Sequence, residues 1–141
     1  MIARDISWLS FNARVLQEAA DPEVPLKDKI KFLGIFSNNL DEFFRVRVAA
    51  LKRMMRLGQK AHMHLEESPQ RILDAIQHTV LDQQSEFNRI WQNILLEMKR
   101  EKIFLLTEKQ LSREQQKFVA AFFEEQVRNN VIPLMVESIP Q

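Results

Sequence analysis

The sequence predicts an all-α protein, an antiparallel bundle of long helices. Three observations carry that expectation. Only two glycines and five prolines occur in 141 residues, so long helices meet few breakers. Leu73, Val80, Phe87 and Ile94 recur every seven residues, with Ile76, Ile90, Trp91 and Met98 at neighbouring positions; that is one apolar face of an antiparallel bundle. Helix-start signals precede the apolar runs. Ser68-Pro69 offers an N-cap followed by proline at the first helical position, and Ser112-Arg113-Glu114-Gln115 is a capping box.

The elements follow in order. A first helix runs from Ser7, with Ser7 or Ser10 as N-cap, to about Ala20. Trp8, Phe11, Val15 and Leu16 fall at helical steps and are expected to share its buried face. Asp21-Pro22-Glu23-Val24-Pro25 ends it, because prolines restrict the residues before them. A second helix begins near Pro25 and presents Leu26, Ile30, Leu33 and Phe36 or Ser37.

The stretch from Phe32 to Arg47 is the most unusual in the chain. Phe32, Phe36, Phe43 and Phe44 surround a polar centre of Ser37, Asn38, Asn39, Asp41 and Glu42. Short polar side chains compete with the backbone for hydrogen bonds and favour helix ends. Either one helix stops here and another starts, with Asn38 or Asn39 as its cap, or polar groups are held at a chosen place.

A third helix is expected from about Leu40 to Leu57, with Gly58 as its C-terminal signal. Asp41 and Glu42 then fall in its first turn, where carboxylates suit the dipole. At roughly 100° per residue, Arg45, Lys52, Arg53, Arg56 and Lys60 share one side, and Phe43, Val46, Ala50, Leu51 and Met54 the other. Arg47 lands among the apolar residues and therefore needs a carboxylate: Asp5, Glu18 or Asp41.

A polar connection, Gln59 to Glu67, leads to the longest helix, Pro69 to about Glu101, a rod of about 50 Å. The second and third helices end to end match that length. Ile103-Phe104-Leu105-Leu106 reads as a short strand or a buried crossing. A last helix runs from Ser112 to about Asn130 with Phe118, Val119, Phe122, Phe123 and Val127 inward. The apolar tail from Val131 to Val136 reads as extended chain, as in a truncated protein.

Composition narrows the chemistry. Hydrophobic residues make up 45% and charged residues 28%, ordinary for a soluble globular protein. The net charge of +1 says nothing about partners. With no cysteine, disulfides, thiol catalysis and cysteine zinc sites are excluded, which fits a cytoplasmic location. No run approaches the roughly 18 apolar residues of a membrane span, so no transmembrane segment is expected. The N-terminus lacks a secretory h-region.

No catalytic residue and no metal site stand out. Asp41 and Glu42 are adjacent and point about 100° apart on a helix, whereas paired acid–base work needs both facing one substrate. Ser37 has no nearby histidine to activate it. His62 and His64, with Glu66 and Glu67 behind them, read as a weak metal pair or, more simply, as a solvated loop pair. His78 sits between Asp74 and Asp82 at four-residue steps, which reads as ion pairing. The glycines stand alone, so no phosphate-cradling loop exists. Asn39 divides evenly between capping and ligand contact, since asparagine offers a donor and an acceptor suited to a purine edge. The basic side of the third helix is either a solvated face or a surface for polyanions such as phosphate chains, nucleic acid or acidic lipids.

Residues Ile6 to Ala19, Pro25-Leu26 and Lys31 to Arg47 together resemble the N-terminal region of type-1 polyphosphate kinases, and the likeness continues more loosely to the end of the chain. The resemblance implies an enzyme that moves the terminal phosphate of ATP onto inorganic polyphosphate, reversibly, through a phosphohistidine and with Mg²⁺. The catalytic histidines and the metal would lie in C-terminal domains that this chain lacks, so His62, His64 and His78 are not the phosphorylated residue. Residues 1–104 would be a helical domain that roofs the active site and contacts ATP. Residues 105–141 would begin a following α+β domain that contributes to subunit association. Implied partners are ATP, polyphosphate, the rest of the same polypeptide and further copies of it in a homo-oligomer, but no nucleic acid; the implied location is cytoplasmic, with membrane association left open. Asn39 matches the family's ATP-binding position. Asn38 and Asp41 would support its geometry, and Arg47 would lock the helix that carries it. The competing reading is a helical interaction module that binds a protein or nucleic acid through the basic face.

Overall fold

The computed structural model describes residues 2–56 and 68–133. Leu57, Gly58, the connection from Gln59 to Glu67 with its two histidines, and the tail beyond Pro133 lie outside the described residues. Helices α1 (Ile2–Ala20), α2 (Leu26–Phe43), α3 (Ala49–Arg56), α4 (Pro69–Arg100) and α5 (Arg113–Phe122) follow one another, and no strand occurs among the described residues. The class is all-α. The chain divides into two compact units, Met1–Ile103 and Phe104–Gln141.

Helix α1 starts at Ile2, so Ser7 and Ser10 lie within it and cap nothing. Its buried stripe is Asp5, Leu9, Asn12, Leu16 and Ala19, a four-three-four-three rhythm that lies on one side of a helix. The expected stripe was displaced: Trp8 is 36% and Phe11 69% exposed. An apolar count weights aromatics inward and cannot see that Asp5 and Asn12 go inside because each has a bonding partner there.

Pro25 precedes α2, and the amides of Asp28 and Lys29 both donate to its carbonyl. The expected break at Ser37-Asn38-Asn39 is absent; α2 runs through it to Phe43. Asn39 is not a cap, because its amide is engaged across the helix interface and does not compete with its own backbone. The irregularity comes later, in the π-helical turn Phe44–Val48, where the Ala49 amide donates to the Phe44 carbonyl five residues back. A turn with one extra residue rotates the chain less per residue. It therefore brings Val48 inside, buried, and swings Val46 out to 60% exposure, the reverse of what a uniform α-helix predicts. α3 continues the same rod.

Helix α4 begins as its caps dictate, with Ser68 Oγ accepting from the Arg71 amide at 3.4 Å and Pro69 first in line. Ile72, Ile76, Val80, Gln83, Ile90 and Ile94 are its buried stripe. It stops in a Schellman arrangement: the Ile103 amide donates to the Met98 carbonyl and the Lys102 amide to that of Lys99. Lys102 takes the left-handed position at φ 60°, where glycine is usual.

Two clusters fill the first unit. Leu9, Phe43, Val48, Leu51, Ile72, Ile76 and Val80 form one; Leu16, Ala19, Leu33, Phe36, Ile90 and Ile94 form the other. The pairings make the α2–α3 rod antiparallel to α1 and α4, an up-down-up set of three. Each fully buried aliphatic side chain contributes about 1.5–3 kcal/mol. Polar ties set the register: Gln83 Nε2 donates to the Leu9 carbonyl at 3.0 Å, and buried Lys29 bonds both oxygens of Glu97 at 2.9 and 3.0 Å. No described helix is long and apolar enough to cross a membrane.

The described part of the second unit is helical. Ile103 to Leu106 are exposed and form neither strand nor buried crossing. Thr107 and Gln110 make a capping box on a short 3₁₀ turn. Ser112 and Gln115 make the expected one on α5, which passes through a π turn, Phe123–Val127, and a 3₁₀ turn to Asn130. Phe118, Val119, Phe122 and Phe123 are exposed, not inward, and Val127 is half-buried. The apolar stripe exists as read, but nothing described in this unit covers it.

Candidate functional site

The site is built on the seam between α1 and α2. Three rungs cross it. At one end Arg47 Nε and Nη2 donate to the two carboxylate oxygens of Asp5 at 2.7 and 3.0 Å. Asp5 is buried, so of the three candidate acids the structure selects the one with least access to water. Arg47 itself lies within the π turn that follows α2. Next, Trp8 stacks on Phe43 with ring centroids 4.8 Å apart. One turn further, Asn12 and Asn39 meet.

Asn12 is fully buried. Its Nδ2 donates to the Phe36 carbonyl at 3.2 Å, and its Oδ1 accepts from Asn39 Nδ2 at 2.9 Å. Asn39 is half-buried and keeps Oδ1 free of any described partner. Asn38 and Asp41 are exposed, and their side chains bond to no described residue. The structure thus joins Asn39 to a partner that sequence reasoning missed. Arg47 holds the same helix two turns away, while Asn38 and Asp41 face solvent beside it. Asn12 had a signal in the sequence: it falls in the 5–9–12–16–19 rhythm, but only if polar residues are admitted to a core stripe.

Arg4, Trp8, Phe11, Phe43, Val46 and Arg47 line an open groove of about 690 Å³ along this seam. Its wall is aromatic and its floor carries the Asp5–Arg47 pair. Glu42 lines it as well, and such a surface can hold a flat, partly polar molecule.

Other candidates do less. His78 Nε2 lies 3.8 Å from Asp82 on an exposed face, while Asp74 bonds Gln70. Glu86 is held below the usual carboxylate range by the hydrogen bond from Arg89 one turn away, a solvated surface pair. Arg45 pairs with Glu42 at 3.5 Å, whereas exposed Lys52, Arg53 and Arg56 have no carboxylate partner among the described residues. No group of three histidine or acidic side chains that could hold a metal occurs among the described residues.

The described helices thus offer a polar-and-aromatic seam between α1 and α2. The comparisons agree with the motif reading. Residues 1–106 match the polyphosphate kinase N-terminal domain, and the chain belongs to that family. The chain is similar to the polyphosphate kinases of Klebsiella pneumoniae and Escherichia coli strain K12, each 43% identical over 135 residues, which is 96% of this chain and 19% of theirs. That of Vibrio parahaemolyticus is 42% identical over 136 residues. The chain therefore spans about a fifth of the length of the curated relatives it matches. No solved structure matches it.

Proposed function

We propose that this chain is the nucleotide-covering segment of a polyphosphate kinase, and that Asn39 contacts ATP. The enzyme class follows from the family and from the polyphosphate kinases to which the chain is similar. One observation carries the contact. Asn39 is half-buried, tied at its amino group and open at its carbonyl oxygen, the state of a group prepared to accept one more hydrogen bond. Trp8, part-exposed and stacked on buried Phe43 one helical turn from Asn12, adds an aromatic surface on the same seam.

In this reading the chemistry belongs to the rest of the polypeptide. A histidine there takes the terminal phosphate of ATP and passes it to polyphosphate. Mg²⁺ belongs, in this reading, to the rest of the polypeptide. This segment binds and orients the nucleotide and excludes water above it. Asn38 and Asp41 stand at the rim, and Arg47 fixes the helix. Residues from about 105 begin the next, α+β domain, which helps subunits associate in a cytoplasmic homo-oligomer.

The test is steady-state kinetics of a full-length polyphosphate kinase carrying this segment. Losing one hydrogen bond of about 0.5–1.5 kcal/mol through Asn39→Ala should raise the KM for ATP about 2- to 10-fold and leave the KM for polyphosphate unchanged. An unchanged KM for ATP would make the Asn12–Asn39 pair a purely structural tie.

A second reading rests on exposed Lys52, Arg53 and Arg56, which have no carboxylate partner among the described residues: an interaction module for nucleic acid or an acidic protein. A gel shift of RNA by this chain that weakens steeply with salt would favour it.

A further inference from the structure

We infer that Asn12 is a positioning residue that fixes which way round the Asn39 carboxamide sits, and that this orientation selects adenine over guanine nucleotides. The inference rests on the proposed contact between Asn39 and ATP.

A backbone carbonyl can only accept a hydrogen bond. Phe36 C=O lies 3.2 Å from the buried Asn12 side chain, so the atom facing it must be the amino group. The opposite orientation would set two oxygens against each other where no water can intervene. Asn12 Oδ1 is thereby turned toward Asn39, and it too can only accept. The Asn39 atom 2.9 Å away must be Nδ2. Asn39 Oδ1 then points away from Asn12, and it is not among the buried atoms lacking a partner. A polarity set by the main chain of α2 is handed through a side chain of α1 to a second side chain of α2. Both amide orientations, ordinarily a matter of assignment, follow here from one carbonyl.

That polarity has a chemical consequence. An asparagine anchored through its amino group presents a carbonyl oxygen plus its second N–H. Adenine offers the complement, an exocyclic amino donor beside a ring-nitrogen acceptor, whereas guanine places an acceptor oxygen where adenine has the amino group. A free asparagine turns over and accommodates either base. One tied by Asn12 meets guanine oxygen to oxygen. Sites that leave such a polar mismatch unpaired discriminate strongly.

Full-length polyphosphate kinase carrying this segment provides the test, with kcat/KM measured for ATP and for GTP. Asn12→Ala should lower the ATP-to-GTP ratio about 3- to 10-fold, mainly through KM, with kcat retained. Asn12→Asp should keep the ratio near wild type, because a carboxylate still accepts from Asn39, even though stability falls. In an Asn39→Ala background, Asn12→Ala should change the ratio no further. Equal losses for both nucleotides on Asn12→Ala, or full additivity with Asn39→Ala, would overturn the inference. If Asn12→Ala does not fold, Asn12→Ser, whose hydroxyl is too short to reach Asn39, decides the same question by the same ratio. The two readings fail separately. An Asn39→Ala enzyme with an unchanged KM for ATP removes the contact itself. A raised KM there, with an unmoved ratio in the Asn12 variants, removes only the positioning role.

Discussion

Asp5 has both carboxylate oxygens taken by Arg47 and almost no access to water. Removing one partner of such a pair strands the other charge in a poor solvent. Arg47→Ala should therefore destabilise the chain by about 3 kcal/mol, read as a lower urea midpoint. Arg47→Lys should recover only part of that, because an ammonium cannot reproduce the two-pronged contact. A loss below about 0.5 kcal/mol would show the pair to behave like an exposed one. The need for this partner was legible in the sequence, since an arginine sat on an apolar face. Its identity was not, because Asp5 lay ahead of the expected helix start and only the tertiary fold brings residues 5 and 47 together. Asn12 was hidden for a related reason: pattern reading sorts by polarity, and a polar residue saturated by hydrogen bonds packs as core.

At the scale of the element, some local signals held and others were overridden by packing. The caps of α4 and α5 are written within four residues and appear as read. The break predicted at Ser37-Asn38-Asn39 did not form, because a bond from Asn39 to another helix removed the competition with the backbone that the prediction assumed. The π turn left no signal at all, and its phase shift exchanged Val46 and Val48. Two measurements belong here. Ser68→Ala should cost about 1 kcal/mol through loss of the α4 cap. Lys102→Gly should stabilise by about 1 kcal/mol, since the left-handed conformation at φ 60° strains a side chain but not glycine. Both are read from thermal midpoints, and a destabilised Lys102→Gly would mean that the lysine earns its place through contacts of its side chain.

Across the whole chain, the all-α class and the long antiparallel helices were legible because apolar period and a scarcity of breakers are additive over many residues. The second unit was read less well. Its apolar stripe was assigned to a core, yet Phe118, Phe122 and Phe123 are exposed. The candidate site shows the same division. Asn39 was legible as an odd polar residue and through the family motif, whereas the partner that orients it emerged only from the packing of α1 on α2.

In the proposed reading, the face of α2 around Asn39 lies against ATP in the whole enzyme. Photolabelling a full-length polyphosphate kinase carrying this segment with 8-azido-ATP tests it most directly. Trypsin cuts after Lys31 and Arg45, releasing one peptide from Phe32 to Arg45 that holds Asn39. Label on that peptide, protected by excess ATP and lost less readily to GTP, is the expected result. ATP-protected label found only on peptides outside residues 1–104 would contradict the claim.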